Sequence, residues 1–109
     1  MVSAKQIEEV GECIGREFHP QRVILFGSYA NGTATDDSDV DLLIVMPFEG
    51  NAVDKSVEVR LRINPKLAID LLVRTPEMVQ ERISMGDNFM QNILQQGKVL
   101  YEADRKRVG

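Results

Sequence analysis

Cysteine is nearly absent: Cys13 stands alone, so no internal disulfide can form. Its place in a helical pattern makes it a small core residue rather than a redox group. Long apolar runs are missing too. The longest, Val40 to Pro47, is interrupted by Asp41 and is far too short to span a bilayer. Lys5, Glu8 and Glu9 break up any apolar leader, so the expectation is a cytoplasmic protein without membrane contact. Positive charge is scarce as well, with 13 Lys and Arg against 17 Asp and Glu and a net charge of −4. Holding nucleic acid through its phosphates needs a broad basic face, so strong nucleic-acid binding is not expected. The one dense basic run, Arg105-Lys106-Arg107, reads as a solvated terminus. There is no internal repeat and no low-complexity tract. What remains is 43% hydrophobic and 28% charged residues over 109 positions. That suffices for one well-solvated core, and a single domain over 1–109 is expected.

Periodicity supplies the elements. Residues 3–18 place Ile7, Val10, Ile14 and Phe18 on one helical stripe, with Ser3 and Gln6 as a capping box. His19-Pro20 ends that helix, because the residue before proline resists the helical region. Residues 23–26 form a short apolar strand. A polar turn from Gly27 to Ser38 follows, with one helical turn at its start. Residues 40–46 form a second strand that carries Asp41. Helical spacing resumes over 52–64, with Val53, Val57 and Leu61 on one stripe, and Pro65 ends it. Residues 67–73 form a third strand. Thr75-Pro76 caps and starts a further helix that reaches about Gln96 with a break near Gly86-Asp87. Gly97 is its C-terminal cap, and 98–101 add an edge strand. The fold class is therefore α/β or α+β, a small mixed sheet flanked by helices.

Carboxylates inside apolar strands are the informative residues. Strand side chains alternate, so Asp39 and Asp41 project from one face. Held side by side they repel, which raises their proton affinity. A divalent cation removes that cost, and oxygen ligands of this kind suit magnesium or manganese. Asp70 lies in Ala68-Ile69-Asp70-Leu71-Leu72-Val73, where a carboxylate is costly unless paired or metal-bound. If the helix of 52–64 is a crossover between parallel strands, the three carboxylates converge. Such a set around two metals about 4 Å apart serves in-line phosphoryl or nucleotidyl transfer. Gly27-Ser28 directly follows the first strand and offers backbone approach, a hydroxyl and an amide to a phosphate.

Two other motifs fail in this stretch. Gly27 and Gly32 have the glycine spacing of a Walker A loop, but Thr33 stands where its lysine must be. Asp37, Asp39 and Asp41 resemble the start of an EF-hand loop, but Leu42 and Phe48 occupy the required Gly and Glu places.

Gly27-Ser28, ten residues, then Asp39-Val40-Asp41 resembles the signature of the minimal nucleotidyltransferases, relatives of DNA polymerase beta. The resemblance extends over most of the chain and is densest in 22–46 and 68–73. It implies that Asp39 and Asp41 hold both metals, and that Asp70 completes the site and helps activate the attacking hydroxyl. It implies that Gly27 and Ser28 hold the triphosphate, with ATP as donor. Asn31 stands where members often carry arginine, a departure that weakens the phosphate contacts. Short members are frequently antitoxins paired with a helical HEPN ribonuclease toxin, and some resemble adenylyltransferases that modify a toxin tyrosine. Larger relatives add a helical domain for the acceptor. About three dozen residues follow Val73 here, too few for one. The expected acceptor is therefore a partner protein that docks on an open site, through apolar side chains among Met78, Val79, Ile83, Met85, Phe89, Met90 and Ile93. Self-association is the other way to complete the site.

Taken singly, each feature has a plainer reading. Asp39 and Asp41 suit a solvated turn, and Asp70 suits an edge strand guarded against aggregation. His19 is a helix-end residue, Met78, Met85 and Met90 are core or partner surface, and Tyr29 either stacks on a base or covers a turn. Lys66 and Arg74 flank the third strand and are candidates for phosphate contact. The three carboxylates together with Gly27-Ser28 favour a transferase. The runner-up is a binding module that neutralises a partner without chemistry; a glycosyltransferase is remote, since its Asp-x-Asp belongs to a much larger domain.

Overall fold

The computed structural model describes residues 1–103, so the Arg105-Lys106-Arg107 run lies outside the described residues. The elements are α1 (Ala4–Phe18), β1 (Arg22–Phe26), α2 (Ser28–Asn31), β2 (Val40–Val45), α3 (Ala52–Ile63), β3 (Ile69–Arg74), α4 (Pro76–Ser84), α5 (Asn88–Gln96) and β4 (Lys98–Glu102). Their order is the one that the periodicity predicts. Local signals set the helix limits. Ser3 and Gln6 form the capping box of α1, Thr75 caps α4 with proline at its first turn, and Asp87 caps α5 after the break. Both helices that meet a proline end alike: His19 and Asn64 turn left-handed at φ 48° and 43°. The steric conflict with the proline ring excludes the right-handed helix there, and these two residues leave it for the left-handed region rather than for extended backbone.

The four strands lie in the order β3-β2-β1-β4. The pairs β1–β2 and β1–β4 are antiparallel, while β2 and β3 run parallel across the α3 crossover. Helices cover both faces. On one face Val23, Leu25, Val40, Leu42, Ile44, Leu71 and Val73 pack with Ile7 and Ile14 of α1 and Val59 of α3. On the other, Ile24, Leu43 and Val45 pack with Val79 of α4 and Met90 and Ile93 of α5. Central strands buried on both faces read as continuous apolar runs, which is why Asp41 stands out in the sequence.

Two expectations change. The α3 stripe of Val53, Val57 and Leu61 faces outward, 71%, 50% and 76% exposed, while Val59 is the residue turned into the core. The charged face of α3 meets α1 instead: Lys55 and Arg62 lie over the Phe18 ring, each 5.8 Å from its centroid, and Arg62 pairs with Glu17 at 2.9 Å. Long basic side chains cover apolar surface with their stems, so a nominally polar face can seat a helix. The second change concerns the expected docking region. Val79, Met90 and Ile93 belong to the core, and only Met85 and Phe89 of that group are largely exposed. Among the described residues no helix is long and apolar enough to cross a membrane.

Candidate active site

Strand pairing brings the acidic residues together. In the parallel register Asp41 of β2 lies opposite Asp70 of β3, and in the antiparallel register it lies opposite Phe26 of β1. Laterally paired residues share a face at about 4.8 Å between strands, so Phe26, Asp41 and Asp70 form one row. Two hydrogen bonds hold that end of the β2–β3 pair. The Val40 N–H donates to the Ala68 carbonyl at 3.0 Å, and the Arg60 guanidinium donates to the Ile69 carbonyl beside Asp70. The row lies on the face that carries α4 and α5, beyond the apolar residues those helices cover.

Asp41 is half-buried, and Asp70 is exposed. Burial pushes the Asp41 carboxyl above its ordinary 3.8, and the charges of Asp70 and then Asp39 push it the same way. Asp39 precedes β2 in the loop and is exposed, close enough for its charge to be felt at Asp41. Among the described residues no three carboxylate, imidazole or thiol groups are already gathered at metal-ligating spacing.

Gly27 ends β1 against this row. Its φ of 76° and ψ of −154° lie in a region open essentially to glycine alone. A Cβ built there would overlap the Asp41 Oδ2, so the missing side chain is what admits the carboxylate. The sequence points to Gly27 for its approach to a phosphate; the structure shows that it first makes room for Asp41. Ser28 is the first residue of α2 and is half-buried. Asn31 is the exposed last residue of α2, and its Oδ1 accepts from the Thr33 hydroxyl at 2.6 Å.

The remaining candidates separate. Tyr29 packs against the α1-side core, and its hydroxyl accepts the Val2 N–H at 3.1 Å, so it covers a turn. Arg74 closes β3 at the end opposite Asp70, about 13 Å along the strand, with a guanidinium pKa lowered by burial and by Arg82. Lys66 is exposed ahead of β3, His19 is exposed at its helix end, and Cys13 is a free, half-buried thiol. Sequence reasoning missed the surroundings of the row. Phe26 and Gly27 form one side of a crevice of about 150 Å³ whose other side is α5, through Phe89, Asn92, Ile93 and Gln96. The helical spacing of those four was visible, but nothing marked which element they would face.

A carboxylate pair on adjacent parallel strands behind a glycine-serine turn defines a class of nucleotide-handling folds, and the comparisons with known proteins agree. The family "Polymerase beta, Nucleotidyltransferase" matches residues 8–106, and the chain belongs to it. A Methanocaldococcus jannaschii protein named "Putative protein adenylyltransferase MJ0604" is 34% identical over 82 residues, 74% of this chain and 78% of that protein. A Sulfolobus solfataricus crystal structure described as a "putative nucleotidyltransferase" superposes with a TM-score of 0.62 at 22% identity, covering 94% of this chain and 81% of its own. A toxin–antitoxin crystal structure with AMP-PNP gives a TM-score of 0.51 at 19% identity, over 91% and 76%. These two likenesses establish the nucleotidyltransferase fold.

Proposed function

We propose that this nucleotidyltransferase moves AMP from ATP to a hydroxyl side chain of a partner protein, as the antitoxin-type member of a pair with a helical HEPN toxin. The observation that carries the reading is the Asp41–Asp70 pairing behind Gly27. A carboxylate whose pKa is raised by burial and then by two acidic neighbours suits a site that receives a cation. The donor set fits magnesium or manganese, since Asp39, Asp41 and Asp70 offer only oxygen and Gly27 admits the Asp41 carboxylate to the row. These three residues would hold the metal, which when bound neutralises the phosphates and makes the attacking hydroxyl more acidic.

The chain's own groups do the rest. Gly27 and Ser28 steady the triphosphate through an amide and a hydroxyl. Asp70 accepts the proton of the attacking hydroxyl as its oxygen bonds to the α-phosphorus, and the bond from that phosphorus to the bridging oxygen breaks, releasing pyrophosphate. Because Asp39 and Asp70 are exposed, the acceptor side is open, and positioning falls to the partner. The relative named for protein adenylylation and the toxin–antitoxin neighbour support this choice of acceptor.

A second reading, a binder that acts without chemistry, has one observation in its favour: the outward apolar stripe of α3. Thermal unfolding with magnesium and ATP separates the two. A ligand at a hundredfold excess over its Kd should raise the Tm by about 10 °C in a domain this small. Asp41→Asn should abolish that rise. No rise in the wild-type protein at saturating magnesium and ATP contradicts the transferase reading.

A further inference from the structure

The sheet order leaves β3 at an edge, so one side of that strand meets no other strand among the described residues. The Ala68 carbonyl points toward β2, where it accepts the Val40 N–H at 3.0 Å. Carbonyls alternate in direction along a strand, so the next one, that of Ile69, points out over the open edge. There it accepts from the Arg60 guanidinium, which reaches it from the C-terminal half of α3. Val59, fully buried, fixes the rotation of the helix beside it. Ile69 and Leu71 pack into the core shared with α1 and α3, so Asp70 between them turns to the opposite face. What the guanidinium holds is therefore the peptide that joins Ile69 to Asp70, not the carboxylate. Asp70 is exposed and enters none of the ion pairs among the described residues. Its place opposite Asp41 depends on its backbone. The peptide is planar, so fixing its carbonyl fixes the plane from which the Asp70 Cα departs.

We propose that Arg60 is a positioning residue for transfer: its bond to the Ile69 carbonyl keeps Asp70 at the spacing from Asp41 that a shared metal needs and aims it at the acceptor hydroxyl. The inference rests on the proposed nucleotidyl transfer, in which Asp70 completes the metal site and takes the proton. A plainer role is that of an edge guard, since a charge on an open strand edge deters a further strand. A guard needs only its charge near the edge. Arg60 instead makes a charge-assisted bond to one carbonyl, and such bonds are about twice as strong as neutral ones. An edge strand lacks the second ladder that holds a central strand, so this bond does on the outer side of β3 what pairing with β2 does on the inner. The demand on Asp70 is tight, because a misplacement of about 1 Å costs on the order of a hundredfold in rate. Asp70 directly follows the bonded carbonyl, so slack there passes to the carboxylate with nothing in between.

The test compares the wild-type chain with Arg60→Met, Arg60→Lys, Asp70→Asn and the double variant Arg60→Met/Asp70→Asn. Transfer of AMP from ATP labelled at the α-phosphate to the co-encoded helical partner is measured with magnesium, below the unliganded Tm of every variant. Arg60→Met should lower kcat about ten- to a hundredfold and move the KM for ATP no more than about twofold. Arg60→Lys, which keeps a donor on a shorter stem, should fall between Arg60→Met and wild type. In the Asp70→Asn background the Arg60 substitution should cost nothing further, because the two residues act through one group. Without metal or nucleotide, amide hydrogen exchange at Asp70 should quicken several-fold in Arg60→Met while Leu42 and Leu43 keep their rates. Full activity of Arg60→Met, or an undisturbed Asp70 amide, would overturn the positioning role and spare the transferase reading. An equal loss with and without the Asp70 carboxylate would also overturn it, by making Arg60 a tie of the whole fold. No transfer by the wild-type chain would overturn the transferase reading, and this inference with it.

Discussion

Asp41 is the residue on which the account turns, and its energetics set a sign. Its folded-state pKa is raised above the ordinary 3.8 by burial, Asp70 and Asp39, so the folded chain holds that proton more tightly than the unfolded one. Without metal, stability therefore falls as pH rises from about 3.8 through the raised value, because the unfolded state then binds fewer protons. Asp41→Asn should flatten that part of a pH titration of the Tm and match or exceed the wild-type Tm at neutral pH. A clear loss of metal-free stability in Asp41→Asn would mean that the carboxylate has a structural partner. In transfer assays, Asp39→Asn and Asp41→Asn should remove activity almost wholly and Asp70→Asn most of it. Ser28→Ala should lose about ten- to a thousandfold, as for one positioned donor. A Ser28→Ala defect larger than that of Asp41→Asn overturns these roles. Asp41 and Asp70 were legible because a charge in an apolar strand has few reasons to be there, while Asp39, in the loop ahead of β2, was marked only by its spacing from Asp41. Phe26, Asn92 and Gln96 were not, since a phenylalanine in a strand and two amides in a helix are ordinary until α5 folds over β1.

Elements were legible where their signals are local, and less so where tertiary contact decides. The caps at Ser3, Thr75 and Asp87 and the stops at His19-Pro20 and Asn64-Pro65 act within a turn or two, so the limits fall close to expectation. The rotation of α3 is different. Two stripes of helical period compete, Val53-Val57-Leu61 and Ala52-Ser56-Val59-Ile63, and the less apolar one faces inward. Phe18 under Lys55 and Arg62, and the bond from Arg60 to the Ile69 carbonyl, fix that choice, and none of these contacts is visible as a pattern in the sequence. Val59→Ala should accordingly cost about 2 kcal/mol in denaturant unfolding. Leu61→Ala, at 76% exposure, should cost no more than about 0.5 kcal/mol. Equal losses for the two would mean that α3 sits in the other rotation.

At the scale of the whole molecule, the sheet sets Asp41 and Asp70 side by side at one end of β2 and β3, while α3 keeps an apolar stripe in solvent on the other face. The order β3-β2-β1-β4 was not readable from periodicity, because a strand's neighbours are chosen by long-range pairing; the parallel β2–β3 pair was, through the helix that separates those strands. The proposed chemistry and the proposed acceptor meet in one experiment. The chain is incubated with magnesium and a co-encoded helical partner, in parallel with ATP labelled at the α-phosphate and at the γ-phosphate, with Asp41→Asn as control. The account predicts label on the partner from the α position only, little on the chain itself, and none with Asp41→Asn. Label from the γ position, equal labelling by Asp41→Asn, or efficient transfer to RNA or a small molecule by the chain alone would contradict it.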